Sequence, residues 1–300
     1  MTTATTSATK TAQTVTLASL KPIEDRGPED AAVEVDGKTY DPALHIGQCI
    51  SGEDPKFTYT IPQGTNAFTT TVAMGDRSAT DEESQAEFFV DGARAAAVSP
   101  TLGKPKKVQL DVSGARQLTV RSSAAKTGEC GTDSGLVLLN AEFTTATPPG
   151  ATKADGGPTE YVADMKQVAD KCDTFYFHDS TGVDAIGGDT FYHSLIAGRD
   201  SLVKDKQGTC SFEYNLGRSA TRLIATAGVG DKSATSFSCT ISIFADDRQL
   251  SSTPLTFGKT SPVNVPLDNA LRLKIVYSWG GPGEGDCVLG DARIEQKESN

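Results

Sequence analysis

From residue 57 onward, large apolar side chains fall on alternate positions in short runs, broken by Gly, Pro, Asp and Asn. Phe57-Thr58-Tyr59-Thr60-Ile61 and Val108-Gln109-Leu110-Asp111-Val112 each hold their apolar residues on one face, as half-buried strands do. Phe212-Glu213-Tyr214-Asn215-Leu216 and Val263-Asn264-Val265-Pro266-Leu267 do the same further on, and Leu118/Val120 is answered by Leu273/Ile275. Strands this short, recurring about every 8–12 residues with turn residues between them, predict an all-β sandwich. A helical alternative exists for residues 161–171, although the matching residues 17–22 suit a strand equally well.

The pattern is duplicated. A shift of 155 residues aligns 57–120 with 212–275 without a gap, with 16 of 64 positions identical, against roughly one in fifteen for unrelated chains. Gly75-Asp76-Arg77-Ser78-Ala79-Thr80 meets Gly230-Asp231-Lys232-Ser233-Ala234-Thr235, and Thr101-Leu102-Gly103-Lys104 meets Thr256-Phe257-Gly258-Lys259, both at turns. Upstream, Gly37-Lys38-Thr39-Tyr40 parallels Gly188-Asp189-Thr190-Phe191; near the ends, Asn140-Ala141 parallels Asp291-Ala292. Two tandem domains follow, at 14–145 and 158–297, joined by a Pro/Gly-rich linker over 146–157. Residues 1–13 are a Thr/Ser/Ala arm with too little apolar surface to offset its ordering entropy. It is expected to be flexible alone and to pair with a neighbouring subunit if the protein belongs to an assembly.

Composition narrows the function classes. The net charge of −11 is shared almost evenly by the two halves, which disfavours binding to phosphate backbones or anionic lipid, and no apolar run reaches the ~20 residues of a membrane helix. The chain opens with no secretory signal pattern, so an expected leader is either removed or bypassed. Six cysteines without a C-x-x-C pair point away from zinc ribbons and thioredoxin-like chemistry. Of the 15 possible pairings, the duplicated placement selects Cys49 with Cys130 and Cys210 with Cys287, leaving Cys172 with Cys239. The alternative is six buried thiols; disulfides would place the protein in an oxidising compartment or outside the cell.

With these motifs assembled, each half resembles an NPCBM/NEW2 domain, the "novel putative carbohydrate-binding module" family, especially its actinobacterial members. The resemblance rests on the Leu-x-x-Leu-Lys-Pro of residues 17–22, Gly37-Lys38-Thr39-Tyr40, the Gly75-Asp76-Arg77-Ser78 turn, Phe88-Phe89-Val90-Asp91-Gly92 and Asp111-Val112-Ser113-Gly114-Ala115. In the second half it rests on Glu213-Tyr214-Asn215-Leu216-Gly217-Arg218 and Gly230-Asp231-Lys232-Ser233. The resemblance implies jelly-roll sandwiches with a non-catalytic sugar-binding role, often beside a hydrolase domain. The closing strands, Leu139-Asn140-Ala141-Glu142 and Gly290-Asp291-Ala292-Arg293, lack the family's Trp.

No catalytic constellation is legible. His45, His178 and His193 carry no H-E-x-x-H, and no G-x-S-x-G occurs. Gly280-Gly281-Pro282-Gly283-Glu284-Gly285-Asp286 follows a strand and leads to another, so it reads as a loop at one end of the sandwich and not as a phosphate cradle. A sugar site pairs an aromatic face with polar side chains. Trp279 with Tyr277, Glu284, Asp286 and Asp291 is therefore the candidate carbohydrate site, provided Trp279 is exposed and not packed beneath its loop. Glu284 and Asp286 could also ligate calcium, with Glu129 and Asp133 as looser counterparts, and Phe175-Tyr176-Phe177 reads as a patch over the core or an interface. The expected function is extracellular, non-enzymatic recognition of cell-wall or surface glycans. The alternative is a structural or decoration subunit of a virion or other secreted particle.

Overall fold

The computed structural model describes residues 14–23, 28–46, 55–126, 135–172, 177–199, 207–280 and 282–297, in two compact units divided between Asp155 and Gly156. The arm and the Cys49/Cys130 pair lie outside the described residues. No α-helix occurs among them.

Unit 1 is built on eight strands: β1 (Lys38–His45), β2 (Lys56–Thr60), β3 (Ala67–Met74), β4 (Glu83–Val90), β5 (Ala93–Val98), β6 (Lys106–Asp111), β7 (Gln117–Lys126) and β8 (Leu136–Thr144). Unit 2 repeats them as β9 (Asp189–Arg199), β10 (Gly208–Asn215), β11 (Ala220–Val229), β12 (Ser238–Ala245), β13 (Arg248–Thr256), β14 (Thr260–Pro266), β15 (Arg272–Trp279) and β16 (Gly285–Gln296). One sheet of unit 1 runs β6-β3-β8-β1 and the other β2-β7-β4-β5; unit 2 has β9-β16-β11-β14 and β10-β15-β12-β13. Apart from the β4-β5 and β12-β13 hairpins, the chain alternates between the two sheets, and every pairing within these eight-strand sets is antiparallel, which is the jelly-roll order.

Each unit adds a strand that hairpins onto its first one: Glu29–Val35 on β1 and Phe177–Ile186 on β9. These hairpins carry small outer cores, Val33 and Val35 with Ala73, Val137 and Leu139 in unit 1, and Ile186 with Ile196 and Val288 in unit 2. The helical alternative for residues 161–171 does not form. Tyr161 ends a short strand on β16, Val162–Asp164 makes one 3-10 turn that buries Val162, and Gln167–Cys172 is an edge strand on β10. Backbone pairing with an open sheet edge outweighs a marginal helical spacing in so short a segment.

The two main cores are filled from opposite sides. At the loop end of unit 1, Ile46, Met74 and Leu136 supply the bulk and face Ser84 and Ser122. At the equivalent positions of unit 2 stand Ala197, Val229 and Cys287, and the bulk comes instead from Tyr277, with Cys239 at Ser84's place and Trp279 at that of Ala124. Close packing demands this compensation, since both interiors must reach the same density. The outer edges differ as well. Thr152–Lys153 lies parallel on β6, whereas β14 carries Pro262 and Pro266, which have no N–H to offer an incoming strand.

Candidate functional site

The duplicated Gly-Asp-Arg/Lys-Ser turn is a staple. In unit 2 the Asp231 carboxylate accepts hydrogen bonds from the Gly187 and Gly188 amides at 2.7 and 2.8 Å, while the Ser233 hydroxyl accepts one from the Asp286 amide at 2.9 Å. In unit 1, Asp76 receives the Asp36 and Gly37 amides at 2.7 and 2.8 Å, and Ser78 receives Gly135 at 2.8 Å. One turn therefore ties the added hairpin and the start of the last strand to one end of the sheet. Sequence reasoning singled out the motif through its duplication but not this role, which needs partners about 40–60 residues away.

What differs between the units sits on that shared frame. The registers place Asp184 where unit 1 has buried Val33, and Asp286 where it has Gly135. Both side chains pack over Gly230: a Cβ added there would lie 3.0 Å from Asp184 Oδ2, 3.4 Å from the Asp286 Cβ and 3.5 Å from Val288 Cγ2, so only glycine fits beneath them. Unit 2 thus carries an acidic corner at this end, packed against Val288 of its small outer cluster. Burial raises the Asp184 carboxyl above its ordinary range, with the negative charges of Asp286 and Asp231 adding to the rise, while the Ala185 amide and Lys232 oppose it. A half-buried carboxylate held against like charges is costly to the fold, which is the pattern of positions retained for function. Asp184 carried no signal in the sequence, because its position lies outside the gap-free repeat and is Val in the other copy.

The cost has a pH signature. An acid whose folded pKa is raised carries no penalty below the unfolded value, and the penalty grows as pH rises through the folded value. Asp184→Asn is accordingly expected to raise the melting temperature of unit 2 at pH 7, with the gain vanishing below about pH 4. Scanning calorimetry across that range checks it; a variant less stable at pH 7 would show that the carboxylate supports the fold.

The residues named from sequence are not brought together as one site. Trp279 is 3% exposed and lies in the main core, so it offers no face to a sugar. Tyr277 is fully buried, donates its hydroxyl to the Leu195 carbonyl at 3.3 Å, and burial pushes its phenol pKa well up. Both sit on the inward face of β15 by the same two-residue period that buries Leu273 and Ile275. Asp291, at φ +46°, is structural too: its carboxylate accepts the Tyr192 and His193 amides at 3.0 and 3.1 Å. His193 itself is buried against Tyr161, with ring centroids 4.0 Å apart. Only Glu284, exposed, and Asp286, half-buried, stay where a ligand could reach them. Among the described residues no group of three or more His, Cys, Asp or Glu is arranged to hold a metal ion. Glu129, Asp133 and Phe175-Tyr176 lie outside the described residues, as does the side chain of Phe177.

The disulfides also correct the expectation. Among the described residues the bridges are Cys172 to Cys210 and Cys239 to Cys287, with Cα atoms 4.1 and 6.1 Å apart. Cys172 stands directly across from Cys210 between the edge strand and β10, and Cys239 on β12 reaches Cys287 on β16 between the two sheets. Register explains the error: the unit 1 equivalent of Cys287 is Leu136 and that of Cys239 is Ser84, so these cysteines are not duplicated positions.

Residues 206–295 match the family described as the NPCBM/NEW2 domain. That segment covers β10 to nearly the end of β16. No curated protein matches the chain. Among solved structures, the M60 catalytic domain with the CBM51-1 and CBM51-2 domains of Clostridium perfringens ZmpB aligns at 12% identity and a TM-score of 0.36, over 95% of this chain and 39% of that one. The chain therefore spans about two fifths of that protein's length. CBM51 from Clostridium perfringens GH95, in complex with methyl-galactose, aligns at 13% identity and 0.33 over 45% of this chain and 99% of its own. The CBM22-1-CBM22-2 tandem of Paenibacillus barcinonensis Xyn10C aligns at 14% and 0.28 over 93% and 98%.

Proposed function

We propose that this chain, in which residues 206–295 match the NPCBM/NEW2 domain, is a non-catalytic glycan-binding protein whose ligand site is the acidic corner of unit 2. The family match carries the reading, because it falls on the unit that holds Asp184, Asp286, Lys232 and Glu284 at one end of the sandwich. Carboxylates accept hydrogen bonds from sugar hydroxyls and an ammonium group donates to them. Unit 1 keeps the staple but has Val33 and Gly135 in place of the two acids, so it serves as the frame without the site. The two bridges fit an oxidising compartment, and among the described residues no helix is long and apolar enough to cross a membrane.

A glycan array probed with the full chain, followed by calorimetric titration of the best sugar, tests this. Binding is expected, and Asp286→Ala with Lys232→Ala is expected to weaken it about tenfold or more through lost charged hydrogen bonds. A chain that binds no sugar on the array, or a double variant with undiminished affinity, overturns the assignment.

A further inference from the structure

Arg199 is the largest fully buried side chain of the described residues, at 1% exposure, and neither the duplicated motifs nor the acidic corner uses it. It ends β9 on the inward face, and its guanidinium lies over the Phe237 ring with the Cζ atom 5.3 Å from the centroid. Its Nη2 donates to the Gly283 carbonyl. The chain beyond that carbonyl is then fixed from three sides. The Ala234 amide donates to the Glu284 carbonyl at 3.0 Å, the Gly230 amide to the Asp286 carbonyl at 3.0 Å, and the Asp286 amide to Ser233 at 2.9 Å. Gly283 and Gly285 have no room for a side chain: a Cβ on the first would come within 2.7 Å of Ala234, and on the second within 2.7 Å of Phe237 and Ser233. Gly283 also needs φ +98°, which other residues rarely adopt.

Resting on the glycan-site reading above, we infer that Arg199 is a positioning residue for it: from inside the core the guanidinium holds residues 283–286 down, and so sets where Glu284 and Asp286 stand. A desolvated cation is an expensive core filler. Here it spans a ring face and a loop carbonyl at once, which an apolar residue of the same volume cannot do.

The full chain is compared as wild type, Arg199→Met and Arg199→Lys, by hydrogen exchange of the loop amides and by affinity for the best array sugar. Arg199→Met is expected to lose protection at Ala234, Gly230 and Asp286 while strands β10, β12 and β15 keep theirs, and to bind at least about tenfold more weakly. Arg199→Lys, which retains a cation over the ring and a donor toward Gly283, is expected to restore both in large part. Loss of protection spread through the core strands in Arg199→Met, or a Met variant equal to wild type in the loop, overturns the inference. Exchange reads the loop without any sugar, so a wild-type chain that binds no glycan sinks the site assignment while the loop result still stands or falls on its own.

Discussion

Trp279→Ala lowers the unfolding free energy of unit 2 by about 3–5 kcal/mol, the cost of deleting a buried aromatic and leaving a cavity. The indole lies within the main core beside Tyr277, across the strand pair from Cys239, at the level where the opposite sheet offers only Ala197 and Val229. Those small neighbours cannot close the space, so the loss falls toward the upper end of the range. Urea denaturation followed by circular dichroism, with unit 1's transition as an internal reference, measures it. A loss below about 1 kcal/mol, well under the core-truncation range, together with abolished sugar binding, would make Trp279 the exposed platform the sequence suggested.

Removing the bridge between sheets, with Cys239→Ala and Cys287→Ala together, costs about 4 kcal/mol in the chain-entropy account. The closed loop has a sequence separation of 48 and its ends lie in opposite layers. Removing Cys172 to Cys210, with a separation of 38, is expected to act more locally. The strand Gln167–Cys172 buries almost none of its side chains and depends on main-chain pairing and that covalent tie, so it should fray before the sandwich melts. Non-reducing peptide mapping fixes the connectivity and thermal melts of the two double variants fix the order. Recovery of Cys210 joined to Cys287 would overturn this assignment.

Strand periodicity and the internal repeat were enough to read an all-β chain with duplicated sandwich patterning, because a two-residue period and a gap-free shift are local signals. Pairing between distant cysteines was not legible: proximity to a strand does not fix a position within it, and the registers put Cys287 at the place of Leu136, not of a cysteine. Trp279 was misplaced for a related reason. Its neighbours Tyr277 and Ile275 share its face, so alternation argues for burial, and an adjacent Gly-rich loop says nothing about which way the ring points. Asp184 was invisible because its meaning lies in a difference, a carboxylate where the sister unit has Val33, and the difference appears only once strand registers align the two copies.

The reversed filling of the two cores bears on how such a chain can be shuffled. A crossover inside a unit, in the turn that follows β3 and its counterpart β11, would set Ile46 and Met74 of one copy against Tyr277 and Trp279 of the other. The reciprocal product would leave Ala197 and Val229 facing Ser84 and Ser122. One hybrid is overfilled and the other hollow, and neither repacks cheaply. Since the copies diverged they have been interchangeable only as complete sandwiches, so recombination among chains of this kind tolerates breakpoints between units and purges those within them.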